Sequence, residues 1–319
     1  MAKLKIAGFW ASSCGGCEIA TLEIGEKVAV LAEVADIVFW PALVDFKYKD
    51  VEAMEDQSID VCLFNGAIQN SEQEHIAKLL RAKAKVLVAF GSCAYEGCIP
   101  GLANTTTAQG IFDRVYGPSP SNANVGDIRP VTEYQAPEGV LTLPKLYDTV
   151  RTLGQTVDVD YFLPGCPPVG KQVWAVIEAI ASNNLPAKGS VVGAGVRALC
   201  EECKRIREEK KVKAFYRPHE IMTDPEKCLL EQGLLCAGVA TREGCGALCP
   251  SAGMPCTGCY GPPDGVIDQG ARFLSAVTSI IDSDNPDEIA RITDSIRDPI
   301  GTFYRYSLPN SLLRRKRIV

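Results

Sequence analysis

Short runs of β-branched and other apolar residues alternate with amphipathic stretches over the first 180 or so positions, the pattern of a parallel sheet covered by helices. The runs at residues 4–10, 36–39, 59–65, 85–90 and 157–163 read as strands. Between them, residues 18–31 predict a helix in which Ile19, Leu22, Val30 and Leu31 share a buried stripe. Residues 71–83 predict another, opening on Ser71 with Glu74 three positions later, a capping-box spacing ahead of Ile76, Leu79 and Leu80. Residues 116–146 break the rhythm with Pro118, Pro120, Pro130, Pro137 and Pro144 and read as a long loop within the same unit. A last helix over residues 170–182 leads to Leu185-Pro186-Ala187-Lys188-Gly189, where the alternation stops. Beyond it strand signals fade and Cys, Gly and Pro become frequent, as in a fold organised around something other than a large apolar core. The expected division is therefore residues 1–190 as an α/β unit and 191–319 as a smaller irregular one.

Length agrees with two units, because single cores stop growing at about 250–300 residues. A net charge of −6 and an isoelectric point near 5.2 lack the basic face of a nucleic-acid partner. The run Arg314-Arg315-Lys316-Arg317 is the exception and reads as a solvated end. No apolar run reaches the ~18–20 residues of a membrane span, and Met1 to Ile6 lead into a strand without a secretory or twin-arginine pattern. The expectation is a cytoplasmic chain. Thiols stay reduced there, so fourteen cysteines point to metal rather than disulfides.

Cys14-Gly15-Gly16-Cys17 follows the first strand and precedes a helix. Alone, a Cys-x-x-Cys serves thiol redox pairs, zinc and iron-sulfur sites alike. Two further segments sharpen it: Gly91-Ser92-Cys93 follows the strand at 85–90, and Gly165-Cys166-Pro167-Pro168 follows that at 157–163. Functional groups of open parallel sheets gather outside the carboxyl ends of the strands, so Cys14, Cys17, Cys93 and Cys166 are expected to converge. Four thiolates are the ligand set of a 4Fe-4S cluster. Gly15, Gly16, Gly91 and Gly165 would let backbone N–H groups approach it.

Eight more cysteines lie between positions 200 and 259: Cys200-x-x-Cys203, Cys228, Cys236, Cys245-x-x-x-Cys249 and Cys256-x-x-Cys259. Eight suits two 4Fe-4S clusters or two four-cysteine zinc sites. Spacing does not choose the metal; the first constellation leans it toward iron, since a string of clusters conducts electrons and zinc conducts none. The natural grouping puts Cys200, Cys203, Cys228 and Cys236 on one centre and Cys245, Cys249, Cys256 and Cys259 on the other. Cys228 and Cys236 are the members that could exchange groups.

Cys14-Gly15-Gly16-Cys17-Glu18, Gly91-Ser92-Cys93, Gly165-Cys166-Pro167-Pro168 and the run ending Pro255-Cys256-Thr257-Gly258-Cys259 together resemble the small subunits of nickel-iron hydrogenases, over nearly the whole chain. The resemblance implies a flavodoxin-like, doubly wound parallel sheet holding a proximal 4Fe-4S cluster on Cys14, Cys17, Cys93 and Cys166, and a second, smaller, irregular cysteine-rich iron-sulfur domain. That domain would carry a medial cluster on Cys245, Cys249, Cys256 and Cys259 and a distal one on Cys200, Cys203, Cys228 and Cys236. It further implies an electron-relay role, with the nickel-iron centre on a partner large subunit. Periplasmic members commonly place a histidine where Cys200 stands and a proline where Cys249 stands. An added thiolate at Cys249 favours a medial 4Fe-4S cluster of lower potential. In this the chain is similar to the cytoplasmic F420-non-reducing, or methyl-viologen-reducing, hydrogenases, whose electrons pass through an iron-sulfur adaptor toward heterodisulfide reductase. The alternatives are a zinc-stabilised interaction protein, a single-cluster subunit like that of complex I, and a thiol oxidoreductase using Cys14 and Cys17.

Other residues have plainer readings. Cys62 lies inside a strand as a small core side chain, while Cys98, five residues after Cys93, competes for the proximal site with four better-placed ligands. His75 and His219 lack partners at metal-ligand spacing. Glu18 suits a helix N-terminus, and Gly193-Ala194-Gly195-Val196-Arg197-Ala198 imitates part of a dinucleotide fingerprint without its βα unit.

Overall fold

In the computed structural model, which describes residues 3–182, 184–208 and 211–313, the five expected strands appear together with five others. These are β1 (Leu4–Trp10), β2 (Ala35–Phe39), β3 (Ile59–Asn65), β4 (Ile68–Asn70), β5 (Ala84–Phe90), β6 (Glu133–Ala136), β7 (Gly139–Thr142), β8 (Leu146–Arg151), β9 (Tyr161–Leu163) and β10 (Ser190–Val191). The basic run at 314–317 lies outside the described residues. Six strands make one parallel sheet in the order β10-β9-β5-β3-β1-β2. Counting only its own strands, the sheet runs 2-1-3-4-5-6, the flavodoxin-like winding with one strand added.

Both faces are covered, which explains why the central strands read as nearly continuous apolar runs. Along β3 the side chains alternate between two cores. Cys62 and Phe64 join Phe9, Phe39, Ile76, Leu80 and Leu87 on one face, whereas Val61 and Leu63 join Trp40, Phe90, Leu163, Val173 and Ile177 on the other. Cys62 is thus a packing residue, fully buried.

Several expected elements come out differently. The helix over 18–31 is two helices, Gly16–Leu22 and Lys27–Val34, separated by a turn in which Gly25 has φ +68°. Most of their expected stripe faces outward, with Ile19 59% exposed, Leu22 53% and Val30 45%, whereas Leu31 packs against the core. The first helix buries Cys17, Glu18, Ala20 and Thr21 instead, because the turn after β1 aims Cys17 inward. The strand over 157–163 shrinks to Tyr161–Leu163, since Asp160 uses its carboxylate to hold Arg81 at 2.6 Å and the Leu87 N–H at 2.8 Å. Helix Ser71–Lys83 is capped by Asn70, which accepts from the Gln73 N–H, while Glu74 takes Lys78, Tyr147 and Arg151. The proline-rich loop contains the β6–β7 hairpin, and β8 pairs antiparallel with β4.

Past β10 the described residues form no further named strand. Helices Gln269–Thr278, Pro286–Asp294 and Pro299–Phe303, capped by Asp268, Asn285 and Asp298, enclose a small core of Phe273, Val277, Ile292 and Phe303. No described helix is long and apolar enough to cross a membrane. The C-terminal segment is stitched to the sheet layer: Cys98 N–H donates to the Tyr306 carbonyl (2.9 Å), Gln155 to the Pro309 carbonyl (2.8 Å), and Tyr260 to Gln172 (2.8 Å).

Glu96, 2% exposed, lies along this seam with Asn310 and Arg242. Burial pushes its carboxyl up to about 8 from an ordinary 4.5. A group whose folded value exceeds its unfolded one stabilises the fold fully below 4.5, and that contribution is lost as pH rises toward 8, about 3 kcal/mol of it by pH 7. Glu96→Gln stays neutral throughout. Its melting temperature is expected to fall less than that of the wild type between pH 5 and pH 8, by differential scanning calorimetry; an unchanged slope would place the titration elsewhere.

Candidate metal centres

Cys14 and Cys17 leave the carboxyl end of β1, Cys93 that of β5, and Cys166 that of β9. Since β1 and β5 flank β3 and β9 lies beside β5, the sheet delivers all four to one edge. Cys17 and Cys93 are buried, Cys166 is half-buried and Cys14 is exposed. They are mutual neighbours: the Cys17 thiol is pushed strongly upward, first by burial, then by Cys93, Glu18, Cys166 and Cys14. Ser92 locks two of the segments together, its N–H donating to the Gly165 carbonyl (2.8 Å) and its hydroxyl accepting from the Gly165 N–H (3.2 Å). The Cys166–Pro167 peptide is cis.

The glycines here serve space more than hydrogen bonding. The N–H of Gly91 is used by the Leu163 carbonyl and that of Gly165 by Ser92, so neither is left for a cluster sulfur. Gly91 has φ +80°, and a Cβ there would stand 2.3 Å from the Cys17 sulfur. Gly91→Ala is therefore expected to keep the sheet but lose about four irons per chain. Full iron content in that variant would mean that Cys17 shifts aside freely.

Cys200, Cys203, Cys228 and Cys236 line a single small recess together with Leu199, Leu229, Gly238, Pro250, Arg205 and Arg207. The Cys200 thiol is pushed up to about 12 by burial, then by Cys236 and Cys228. Arg205 ties the wall, donating to the carbonyls of Pro250, Asp224 and Lys227, each at 2.9 Å. Neither arginine is among the residues singled out from the sequence, although their nearness to Cys203 in the chain is a visible signal.

Cys245, Cys249 and Cys259 are electrostatic neighbours, and Cys256 feels both Cys236 and Cys259. Cys256 sits on the seam with the preceding recess, its N–H donating to the Cys236 sulfur at 3.3 Å. On the opposite side, the Cys166 N–H reaches the Cys259 sulfur, whose thiol burial pushes up to about 12, and the Ser92 hydroxyl donates to the Cys259 carbonyl. The three sets thus lie in series, the 245–259 set in the middle.

Cys98 is not a distant spare. It is fully buried, and its sulfur stands 3.8 Å from that of Cys166. His75 lies on the surface beside Glu52 at 3.6 Å, and His219 is exposed. Among the described residues, no three His, Cys, Asp or Glu side chains are gathered tightly enough to share one metal ion. Four-thiol sets in series, at a sheet edge and around a recess, have the donor chemistry of iron-sulfur clusters.

A doubly wound sheet with thiols at its carboxyl edge and a cysteine-rich second region defines an iron-sulfur redox subunit. The family model described as NADH ubiquinone oxidoreductase, 20 Kd subunit, matches residues 14–180. The iron-sulfur subunit of the F420-non-reducing hydrogenase of Archaeoglobus profundus is 41% identical over 323 aligned residues, covering 98% of each chain. A chain of an NAD+-reducing [NiFe]-hydrogenase in its H2-reduced state is 28% identical with a TM-score of 0.50, over 58% of this chain and 94% of its own. A chain of the [NiFeSe] hydrogenase from Desulfovibrio vulgaris Hildenborough, 16% identical with a TM-score of 0.52, shares the fold over 83% of this chain and 96% of its own. The chain belongs to the small-subunit family of nickel-iron hydrogenases, as a non-catalytic component of an oxidoreductase.

Proposed function

We propose that this subunit relays electrons from dihydrogen oxidation on a nickel-iron large subunit, through three 4Fe-4S clusters, to a further acceptor such as an iron-sulfur adaptor leading to heterodisulfide reductase, in the cytoplasm. The observation that carries this reading is the serial contact of the three cysteine sets, through Cys166 and Cys259 on one side and Cys236 and Cys256 on the other. Bound there, each cluster would supply a one-electron carrier. Cys14, Cys17, Cys93 and Cys166 would hold the proximal one, Cys245, Cys249, Cys256 and Cys259 the medial one, and Cys200, Cys203, Cys228 and Cys236 the distal one. The relay would then span both units, 1–190 and 191–319, with their shared seam at the proximal-to-medial step.

The chain's own residues would seat each cluster and shield it. Burial alone disfavours the thiolate at Cys17, Cys200, Cys236, Cys245, Cys256 and Cys259, so deprotonation there is coupled to metal loading. Cys14 is the exposed member of the first set, and Trp10, Ile19 and Leu22, close to it in the chain, also face outward, which suits a large apolar partner.

Anaerobic purification of the native complex, with iron, sulfide, nickel and zinc measured per copy of this chain, tests the proposal. About twelve irons and twelve sulfides, with one nickel on a co-purifying large subunit, is the expected result. About four irons with two zincs and no nickel would overturn it in favour of a structural-zinc protein.

A further inference from the structure

The set of Cys200, Cys203, Cys228 and Cys236 lies against a surface groove whose charge is opposite to that of the chain as a whole. We propose that this groove is the docking face for a negatively charged protein electron carrier, with Arg207 and Arg272 as its anchoring cations. The inference rests on the reading that those four cysteines hold the outermost cluster of the relay, and it adds the kind of partner that takes electrons there.

Cys200 and Cys228 are half-buried and belong to two depressions at once: the recess they share with Cys203 and Cys236, and a groove beside it lined by Arg207, Arg272, Leu230, Val239 and Ile280. Two cysteines of the set thus form part of the groove wall, so an occupant comes up against the ligands themselves. Arg207 belongs to the segment after Cys203 and Arg272 to helix Gln269–Thr278, and both are exposed. Among the described residues neither guanidinium has a hydrogen-bond or ion-pair partner, whereas Arg205 is tied to three carbonyls. Glu231, the acidic residue of the groove, accepts from the Glu208 N–H at 2.8 Å, and Glu208 itself pairs with Lys227 at 3.0 Å.

The surroundings extend the same charge. Of the described residues between 204 and 217, Lys204, Arg205, Arg207, Lys211, Lys213 and Arg217 are basic and Glu208 alone is acidic, in a chain whose net charge is −6. The Val212 N–H donates to the Ile280 carbonyl at 2.8 Å, which keeps Lys211 and Lys213 beside the groove. Singly, exposed arginines are ordinary surface. Two unpaired ones next to cysteines of a redox site, with an apolar lining between them, have the anatomy of a protein interface. Guanidiniums offer bidentate contacts to carboxylates, and a local basic field steers an acidic carrier toward the site; a basic carrier would be repelled.

The test uses the intact complex with the large subunit, kept anaerobic, and two probes of opposite charge: an acidic plant-type ferredoxin and a basic cytochrome c. Binding is read by analytical ultracentrifugation at low and high salt, contact sites by carbodiimide coupling of probe carboxylates to lysines, and cluster content by iron analysis. The ferredoxin is expected to bind at low salt and to couple to Lys211 or Lys213. Its affinity should fall at least about tenfold in the Arg207→Glu, Arg272→Glu double variant, a difference that shrinks to about twofold near 1 M salt, where the screening length is about 3 Å. The Arg207→Lys, Arg272→Lys variant keeps the charge and is expected to retain most of the affinity. Unchanged ferredoxin affinity in the Glu variant, or cytochrome c binding to the wild type as tightly as ferredoxin, overturns the inference. So does self-association of the complex through this face in place of ferredoxin binding, which would make a second copy the occupant. Loss of about four irons in the Glu variant also overturns it, because the arginines would then support the cysteine set rather than a partner. If the wild-type complex lacks a cluster on this set, the underlying reading fails, and the iron count reveals that separately from binding.

Discussion

Replacing Cys17 with alanine should remove about four irons and four sulfides per chain and lower dihydrogen-dependent dye reduction by the assembled complex at least about a hundredfold. Cys17 is the hub of its set: it is buried, and Cys14, Cys93 and Cys166 all act on its thiol. The Ala variant leaves three of the four expected ligands around a site still walled by Gly91 and Ser92. Cys98 contacts Cys166 and Cys93 but is tied by its backbone to the C-terminal segment. If the three sets conduct in series as proposed, losing the first would interrupt the whole relay. Cys62→Ala is the control, since Cys62 lies in the sheet core: irons should be retained, with a modest loss of stability of about 1 kcal/mol. Inductively coupled plasma analysis and viologen reduction under dihydrogen decide the matter. Full iron content and full rate in the Cys17 variant would remove it from the ligand set.

The second large effect concerns assembly. Ile19→Glu combined with Leu22→Glu is expected to weaken association with the large subunit by about a thousandfold or more, roughly 4 kcal/mol, because two carboxylates would be desolvated in an apolar contact. Both residues are outward-facing on helix Gly16–Leu22, the segment that carries Cys17. Their substitution leaves the buried face of Cys17, Ala20 and Thr21 untouched, so the circular dichroism spectrum of the chain should be unchanged. Co-purification and analytical ultracentrifugation read the outcome; a complex of undiminished affinity would mean that the partner docks on another face.

The outward turn of Ile19 and Leu22 also marks where local pattern misleads. Apolar spacing places them on a buried stripe of a single helix through residue 31. The turn at Gly25 and the demand that Cys17 and Glu18 face the site rotate that stripe to the surface. Ser71 has a cap's spacing to Glu74, but Asn70 lies one residue earlier with its side-chain carbonyl aimed at the Gln73 N–H, and Glu74 is drawn away by Arg151 from a distant strand. The hairpin of β6 and β7 is hidden because proline-rich sequence around it masks a short antiparallel pair.

What the chain's sequence determined by itself is the set of apolar runs that become β1, β3 and β5, the glycine-flanked cysteines placed just past strand ends, and the motif likeness to hydrogenase small subunits. Each depends on residues within a few positions of one another, where side-chain periodicity and backbone restrictions operate directly. Only the tertiary structure decided which thiols meet. Cys17 reaches Cys93 and Cys166 through the strand order of the sheet. Cys228 and Cys236 join Cys200 and Cys203 around one recess, where Arg205 holds the segment before Cys228 by the carbonyls of Asp224 and Lys227. Cys98 stands against Cys166 because the C-terminal segment pins it there. Contacts between residues so far apart are set by how layers close and which surfaces are buried together, and one-dimensional spacing carries no record of that.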